Sequence, residues 1–293
     1  MKIILGYACL NTSIKNKMKS LRLKTYISKG DEYLKSLVIN NLNYTKACLN
    51  WNTENNVHFF RISSDIVPLA THPKMKFKWW KDEDIQNIAN DIKNLASKNS
   101  IRLSMHPGQY TLLNSNKEEV VDRSIQDLKY HQIIGNMMGV EDLITHVGGV
   151  YGNREKAMER WASVYKSIPT EVASLIRLEN DDRLFTIKEV LELSKETGVQ
   201  AVFDYHHHRI NPSIDAKEAM VQSIKTWEGT ADPKVHLSSG KSKKLDSRHH
   251  DLILKEDYQE LLSILPKTKD SKVYIMLEAK KKEQAIINLR KSI

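Results

Sequence analysis

The sequence predicts an α/β fold, a single TIM (β/α)8 barrel over residues 1–293 with its active site at the C-terminal ends of the strands. Eight apolar, strand-like runs alternate with helical patterns along the whole chain, the pattern of a parallel sheet with helical crossovers. The length of 293 residues suits one barrel, which typically takes about 250. Neither a GxGxxG nor a GxxxxGKS/T loop occurs, which argues against a doubly wound sheet and a nucleotide cofactor.

The first strand reads Ile3 to Cys9. A helix follows from Asp31 to Trp51, with Leu34, Leu37, Val38, Leu42 and Thr45 at helical spacing. The second strand is Val57 to Ser63; its helix starts at Lys81-Asp82-Glu83, acidic in the first turn, and reaches Ser97. After the third strand, Ile101 to Met105, Asn116 is the expected cap of a helix over Val120 to Met138. The fourth strand, Asp142 to Val147, leads to a helix from Arg154 to Ser167. The fifth, Ser174 to Leu178, leads to a helix from Thr186 to Glu196 that stops at Gly198. The sixth, Val199 to Phe203, precedes a helix from Asp215 to Trp227. The seventh, Lys234 to Ser238, precedes one from Asp257 to Ile264, ending before Pro266. The eighth, Lys272 to Leu277, precedes the closing helix, Glu283 to Arg290.

No apolar run approaches a membrane span, and Met1 to Tyr7 reads as a strand, too short for a signal peptide. The two cysteines, Cys9 and Cys48, lack CxxC spacing, so a disulfide framework is not expected and a reducing, cytoplasmic setting is. A formal charge of +9 permits an anionic partner such as nucleic acid, but what matters is where the charge sits.

Six of the apolar runs stop at a residue able to bind metal: His106, His146, Glu179, Asp204, His236 and Glu278. Strands lying parallel in one barrel bring all six to one rim. A lone His at a strand end is more often a capping or hydrogen-bonding group; recurrence at six ends is what argues for a site with several ions. His with Asp and Glu, and no Cys, suits Zn2+, Mn2+ or Fe2+. Glu179, in the middle of the strand order, is the natural bridge between ions. In His206-His207-His208 adjacent side chains cannot all point inward, and Asp204 with His207 at i, i+3 is the useful pair. His72 follows the second strand, and His249 and His250 lie in the loop after the seventh. His58, inside a strand, and His131, inside a helix, read as structural.

Basic residues cluster at the same rim. Lys15, Lys17, Lys19, Arg22 and Lys24 crowd the loop after the first strand; Lys241, Lys243, Lys244 and Arg248 crowd the loop after the seventh. Any one lysine is most simply solvated charge, but two basic loops beside a metal site suit a phosphodiester backbone better than a neutral sugar. Gly148 and Gly149 would let a backbone approach closely just after His146.

These residues resemble the UV-damage endonuclease family. His106-Pro107-Gly108-Gln109-Tyr110 with Leu113-Asn114-Ser115, Thr145-His146-Val147-Gly148-Gly149, Leu178-Glu179-Asn180-Asp181 and Phe203-Asp204-Tyr205-His206-His207 look like its motifs. So do Lys234-Val235-His236-Leu237-Ser238 and Met276-Leu277-Glu278-Ala279-Lys280, together with Gly6-Tyr7, Asn11 and Arg61-Ile62-Ser63-Ser64. The resemblance runs from the first strand to the last. It implies a barrel close to endonuclease IV that holds up to three divalent ions, often Mn2+, with Zn2+ or Mg2+ as alternatives. It also implies incision of damaged duplex DNA immediately 5′ to cyclobutane dimers, 6-4 photoproducts and some abasic sites, leaving a 3′-hydroxyl and a 5′-phosphate. The implied ligands are His106, His146, Glu179, Asp204, His207, His236, His249 and Glu278, with His72 nearby. Gln109 and Tyr110 would probe the helix at the lesion, and Tyr7 and Asn11 would line the pocket for damaged bases. The chain departs from the family pattern at His249-His250-Asp251, where two histidines stand for one; spacing to Asp251 favours His249.

The expected reaction is metal-assisted phosphodiester hydrolysis by a cytoplasmic, nucleoid-associated monomer. Ions activate water and offset charge on the leaving 3′-oxygen, so no covalent nucleophile is required. Glu179 and Glu278 are expected to hold and bridge ions, with His72 beside them; Lys234 and Lys280 would neutralise phosphate charge. Lys234, which shares a strand face with His236, could instead carry a carbamate. The rival readings are an abasic-site endonuclease of the endonuclease IV type, a metal-dependent sugar isomerase or epimerase, and a non-catalytic DNA-binding module.

Overall fold

A computed structural model describes residues 1–267 and 271–293. Strands β1 (Lys2–Cys9), β2 (Phe59–Ile62), β3 (Arg102–Met105), β4 (Asp142–His146), β5 (Ile176–Glu179), β6 (Gln200–Asp204), β7 (Lys234–Leu237) and β8 (Lys272–Leu277) form a closed barrel in chain order, all parallel. The helices around it are α1 (Leu23–Glu54), α2 (Glu83–Lys98), α3 (Glu118–Met138), α4 (Arg154–Ser167), α5 (Thr170–Ala173), α6 (Ile187–Thr197), α7 (Tyr205–Ile210), α8 (Ala216–Lys225), α9 (Lys255–Ile264) and α10 (Glu283–Ser292). The TIM barrel expected from the sequence is the fold. Among the described residues no helix is long and apolar enough to cross a membrane.

Strand alternation sorts the core into two regions. Leu103, Leu143, Leu178, Phe203 and Val235 face outward and meet the apolar faces of the helices, including Leu34, Ile92, Leu128, Trp161 and Leu289. Inside the barrel sit two small clusters, Phe59 with Ala8, Tyr274 and Met276, and Ile144 with Val202 and Trp227. They form an apolar middle between two charged ends.

At the N-terminal end, Asp142 gathers three cations. Its Oδ2 lies 2.5 Å from Lys234 Nζ and 2.9 Å from Arg102 Nη2, and its Oδ1 accepts from Arg177 Nε at 2.9 Å. Burial opposes ionisation of Asp142, but the three cations outweigh it and hold its pKa at about 2. Burial pushes the Lys234 amine down to about 7, against the pull of Asp142.

The boundaries differ from expectation where local geometry intervenes. α1 begins at Leu23, eight residues before Asp31. Gly30, at φ 75°, breaks it into two segments, and the longer one resumes at Asp31. Asn116 is not a cap: α3 starts at Glu118 after Lys117, which makes no side-chain capping bond. The histidine run after β6, for which no helix is expected, forms the short helix α7.

Candidate metal centre

Six strands, β3 to β8, deliver a candidate ligand residue to the rim by parity. On β4, Asp142, Ile144 and His146 face inward; on β7, Lys234 and His236 do. Ligand atoms then fall into three groups, each within 4.8 Å: His106, His146 and Glu179; Glu179, Asp204 and His207; Glu179, His236 and Glu278. Glu179 belongs to all three and is 1 % exposed. Its Oε2 lies 3.3 Å from His106 Nε2 and 3.7 Å from His146 Nε2. Its Oε1 lies 2.8 Å from His236 Nδ1 and 3.7 Å from His207 Nδ1. One carboxylate thus faces candidate ligands on both sides.

The pair on α7 is built by capping. Asp204 Oδ1 accepts from the His207 amide at 2.7 Å, while Asp204 Oδ2 is buried without a hydrogen-bond partner. Asn180 fixes this corner: its side chain exchanges hydrogen bonds with the Asp204 backbone at 2.9 and 3.0 Å, and its carbonyl lies 3.0 Å from His207 Nδ1. A buried carboxylate oxygen with no donor is costly unless a cation meets it. The oxygen and nitrogen donors present, without sulfur, fit divalent ions.

The charges agree with that fit. Burial opposes ionisation of Glu179, but His236, His146 and His106 hold its carboxyl well below the usual range. Burial would lower His207, yet Asp204, Glu179 and Glu278 raise it to about 9. Burial also works against Glu278, and Arg61, at 2.6 Å from its Oε1, keeps it ionised.

His249 Nδ1 lies 4.0 Å from Glu278 Oε2, beside the third group. His250 turns into its own loop, with Nδ1 accepting from Leu252 N at 3.0 Å. His206 is fully buried, bonded to Asp246 O and Arg209. His58 bonds Asn99 O, and His131 bonds Asp127 O on its own helix.

Four expected residues are not brought to the cluster. His72 lies in a groove beside Trp79, Trp80 and Tyr130, its Nδ1 accepting from Lys74 N at 3.1 Å. Lys234 faces the same way as His236 but lies two residues deeper, and its amine is committed to Asp142. Tyr7 faces outward because Gly6 and Ala8 on either side of it face in. It is fully buried against Phe60 and Trp51, and its hydroxyl donates to Asn52 Oδ1 at 2.7 Å. Asn11, 3 % exposed, donates to that hydroxyl at 2.8 Å, so neither lines an open pocket.

Gln109 and Tyr110 stand at the open tip of the β3–α3 loop, Tyr110 81 % exposed. The loop is pinned just beyond them, where Thr111 Oγ1 donates to Asp127 Oδ2 at 2.6 Å and Leu112 N donates to Ser124 Oγ at 2.8 Å. Gln109 joins His146 and His207 in lining a cavity of about 470 Å3 over the centre. Gly148, at φ 112°, forms part of its wall; a Cβ there would lie 2.3 Å from Asn114 Oδ1. Asn114 in turn donates to Gly149 O at 2.7 Å and ties the two loops together. Sequence reasoning missed Arg61, Asn114 and Asn180 as site residues, although each falls inside one of the family-like motifs. The basic residues are exposed: Lys15, Lys17, Lys19 and Arg22 on one loop with Lys24 in the first turn of α1, Lys241, Lys243, Lys244 and Arg248 on the other loop, and Lys280 between β8 and α10.

The sequence model of the UV-endonuclease UvdE family matches residues 3–293. The chain belongs to the UV-endonuclease UvdE family. A UV DNA damage endonuclease of Bacillus mycoides (strain KBAB4) is 36% identical over 267 residues, 88% of this chain and 82% of that protein. Another, from Bacillus thuringiensis subsp. konkukian (strain 97-27), is 36% identical over 252 residues, 84% and 78% of the two chains. The crystal structure of SacUVDE superposes with a TM-score of 0.90 at 33% identity, covering 99% of this chain and 97% of that one. Endonuclease IV from Thermus thermophilus, at 16% identity and a TM-score of 0.59 over 84% of this chain and 92% of that one, shares the barrel alone with this UvdE-family chain.

Proposed function

We propose that this UvdE-family chain is a DNA repair endonuclease that incises damaged duplex DNA immediately 5′ to UV photoproducts. Cyclobutane dimers and 6-4 photoproducts are its substrates, abasic sites a further one, and its products are a 3′-hydroxyl and a 5′-phosphate. The observation that carries this reading is the sharing of Glu179 by three ligand groups, beneath a cavity whose wall bears Gln109. The chain acts as one domain and a monomer in the cytoplasm, associated with the nucleoid.

His106, His146, Glu179, Asp204, His207, His236, His249 and Glu278 would hold up to three divalent ions, with Mn2+ favoured. Bound ions supply Lewis acidity for activating water and offsetting charge on the leaving oxygen. Glu179 and Glu278 set the spacing of the site, and Arg61 keeps Glu278 ionised. Asn180 and the α7 cap orient Asp204 and His207. Tyr110 stacks and Gln109 hydrogen-bonds where the damaged helix is unstacked. Damaged bases cost less to extrude, which gives selectivity without sequence readout. The basic loops and Lys280 meet the backbone phosphates.

The deciding assay offers duplexes bearing one defined photoproduct, one abasic site or no damage, with Mn2+, Mg2+ or Zn2+ added. Incision 5′ to the photoproduct supports the reading. Incision at the abasic site alone would replace it with an abasic-site endonuclease.

A further inference from the structure

Beside the metal centre opens a second cavity of about 290 Å3, with Glu278 and His249 in its lining. Four permanent cations line it: Arg61, Arg248, Lys280 and Lys282, with Glu278 as the carboxylate and His249 at the edge. Arg61 is 7 % exposed. Its Nη1 is committed to Glu278 Oε1, but its Nε is buried with no hydrogen-bond partner. A guanidinium presents five donors in a planar fork, and the contact to Glu278 does not use them all.

The lysines are held here by the backbone. Lys280 N donates to His250 O at 3.1 Å and Lys281 N to Asp251 O at 2.9 Å, which binds the β8–α10 loop to the β7–α9 loop. The latter is braced in turn by Lys241 N donating to Arg248 O at 2.8 Å. Lys282 sits at φ 50°, a left-handed conformation that costs a lysine energy and persists only where its surroundings impose it. Arg248 is braced by Asp246, at 2.8 Å from Nη2 to Oδ2.

We propose that this cavity is a phosphate subsite, receiving one phosphodiester of the DNA strand next to the phosphodiester held at the metal centre. Four cations against Glu278, with Asp246 pairing Arg248 from behind, still leave a surplus that suits a phosphodiester, and Arg61 lines the cavity with a guanidinium whose donors suit phosphate oxygens. Arg61 then touches both a candidate metal ligand and the neighbouring phosphate, and sets the distance between them. The subsite rests on the incision reading above.

The test uses photoproduct duplexes in which one phosphate at a time near the incision site is replaced by an uncharged methylphosphonate. Wild-type protein should lose incision at one position besides the scissile one. Lys280→Ala with Lys282→Ala should raise KM on the natural duplex roughly tenfold with kcat little changed, and lower the salt slope of binding. Substitution at that one position should then cost the variant nothing further. A flat profile in wild type, or a profile unchanged in the variant, overturns the subsite alone. Failure of wild type to incise any duplex overturns the incision reading and the subsite together. Lys280 is exposed and Lys282 half-buried, and thermal unfolding of the variant checks that it folds.

Discussion

Asp204 both caps the helix that carries His207 and faces that histidine's ring. One carboxylate oxygen accepts from the His207 amide at 2.7 Å; the other, without a hydrogen-bond partner, stands 3.7 Å from His207 Nδ1. A capping interaction is the scaffold of a candidate ligand pair.

The two roles of Asp204 separate by substitution. Asp204→Asn keeps a good capping residue and removes the charge, so stability should change little while Mn2+ affinity and incision fall sharply. Asp204→Ala should in addition lose about 1 kcal/mol of stability with the cap. Thermal unfolding and titration calorimetry on both variants check this; equal Mn2+ affinity in wild type and Asp204→Asn would remove Asp204 from the ligand set.

The charge cluster at the other end of the barrel contributes to acid stability. The Asp142 pKa, about 2, lies below its ordinary value of 3.8. A depressed folded-state value means that the stabilisation is complete above pH 3.8 and is lost as pH falls through about 2. The loss amounts to about 2 kcal/mol. Asp142→Asn should remove that pH dependence and leave Lys234, Arg102 and Arg177 without their anion, at a cost of about 3–5 kcal/mol. Urea unfolding between pH 2 and 7 reads both effects, and an unchanged acid limb in the variant would contradict them.

Lesion sensing should separate from metal binding. Gln109 and Tyr110 occupy a loop tip whose anchors lie at Thr111 and Leu112, so Gln109→Ala with Tyr110→Ala leaves the anchors intact. The double variant should bind Mn2+ as wild type does and lose on the order of tenfold or more in preference for damaged over undamaged duplex, the scale of losing one or two stacking or hydrogen-bonding contacts. Undiminished preference in a competition assay would remove the pair from lesion recognition.

The rim was legible because two regularities meet there. Parallel strands end at one face of a barrel, and His106, His146, Glu179, Asp204, His236 and Glu278 each stand within one residue of such an end. Depth and parity were harder to read. Lys234 shares the inward face with His236, as alternation requires, but nothing in the pattern says that its amine runs to Asp142. Tyr7 lies one residue from an inward position, and that single step buries it under α1. The α7 helix was hidden because a six-residue segment has no periodicity to detect; its signal was the Asp204 cap, read only as a ligand spacing. Arg61 was legible as a charged residue near a strand end, but a search for metal ligands passes over arginine.

The central claim is that Glu179 joins the three ligand groups, and Glu179→Gln tests it most directly. Mn2+ per chain is measured by mass spectrometry after dialysis, alongside incision and binding of a photoproduct duplex. Wild type should hold more than one ion. The variant should lose ions and lose incision on the order of 10³-fold or more, with lesion binding largely retained. Full Mn2+ occupancy with full incision in the variant would contradict the account.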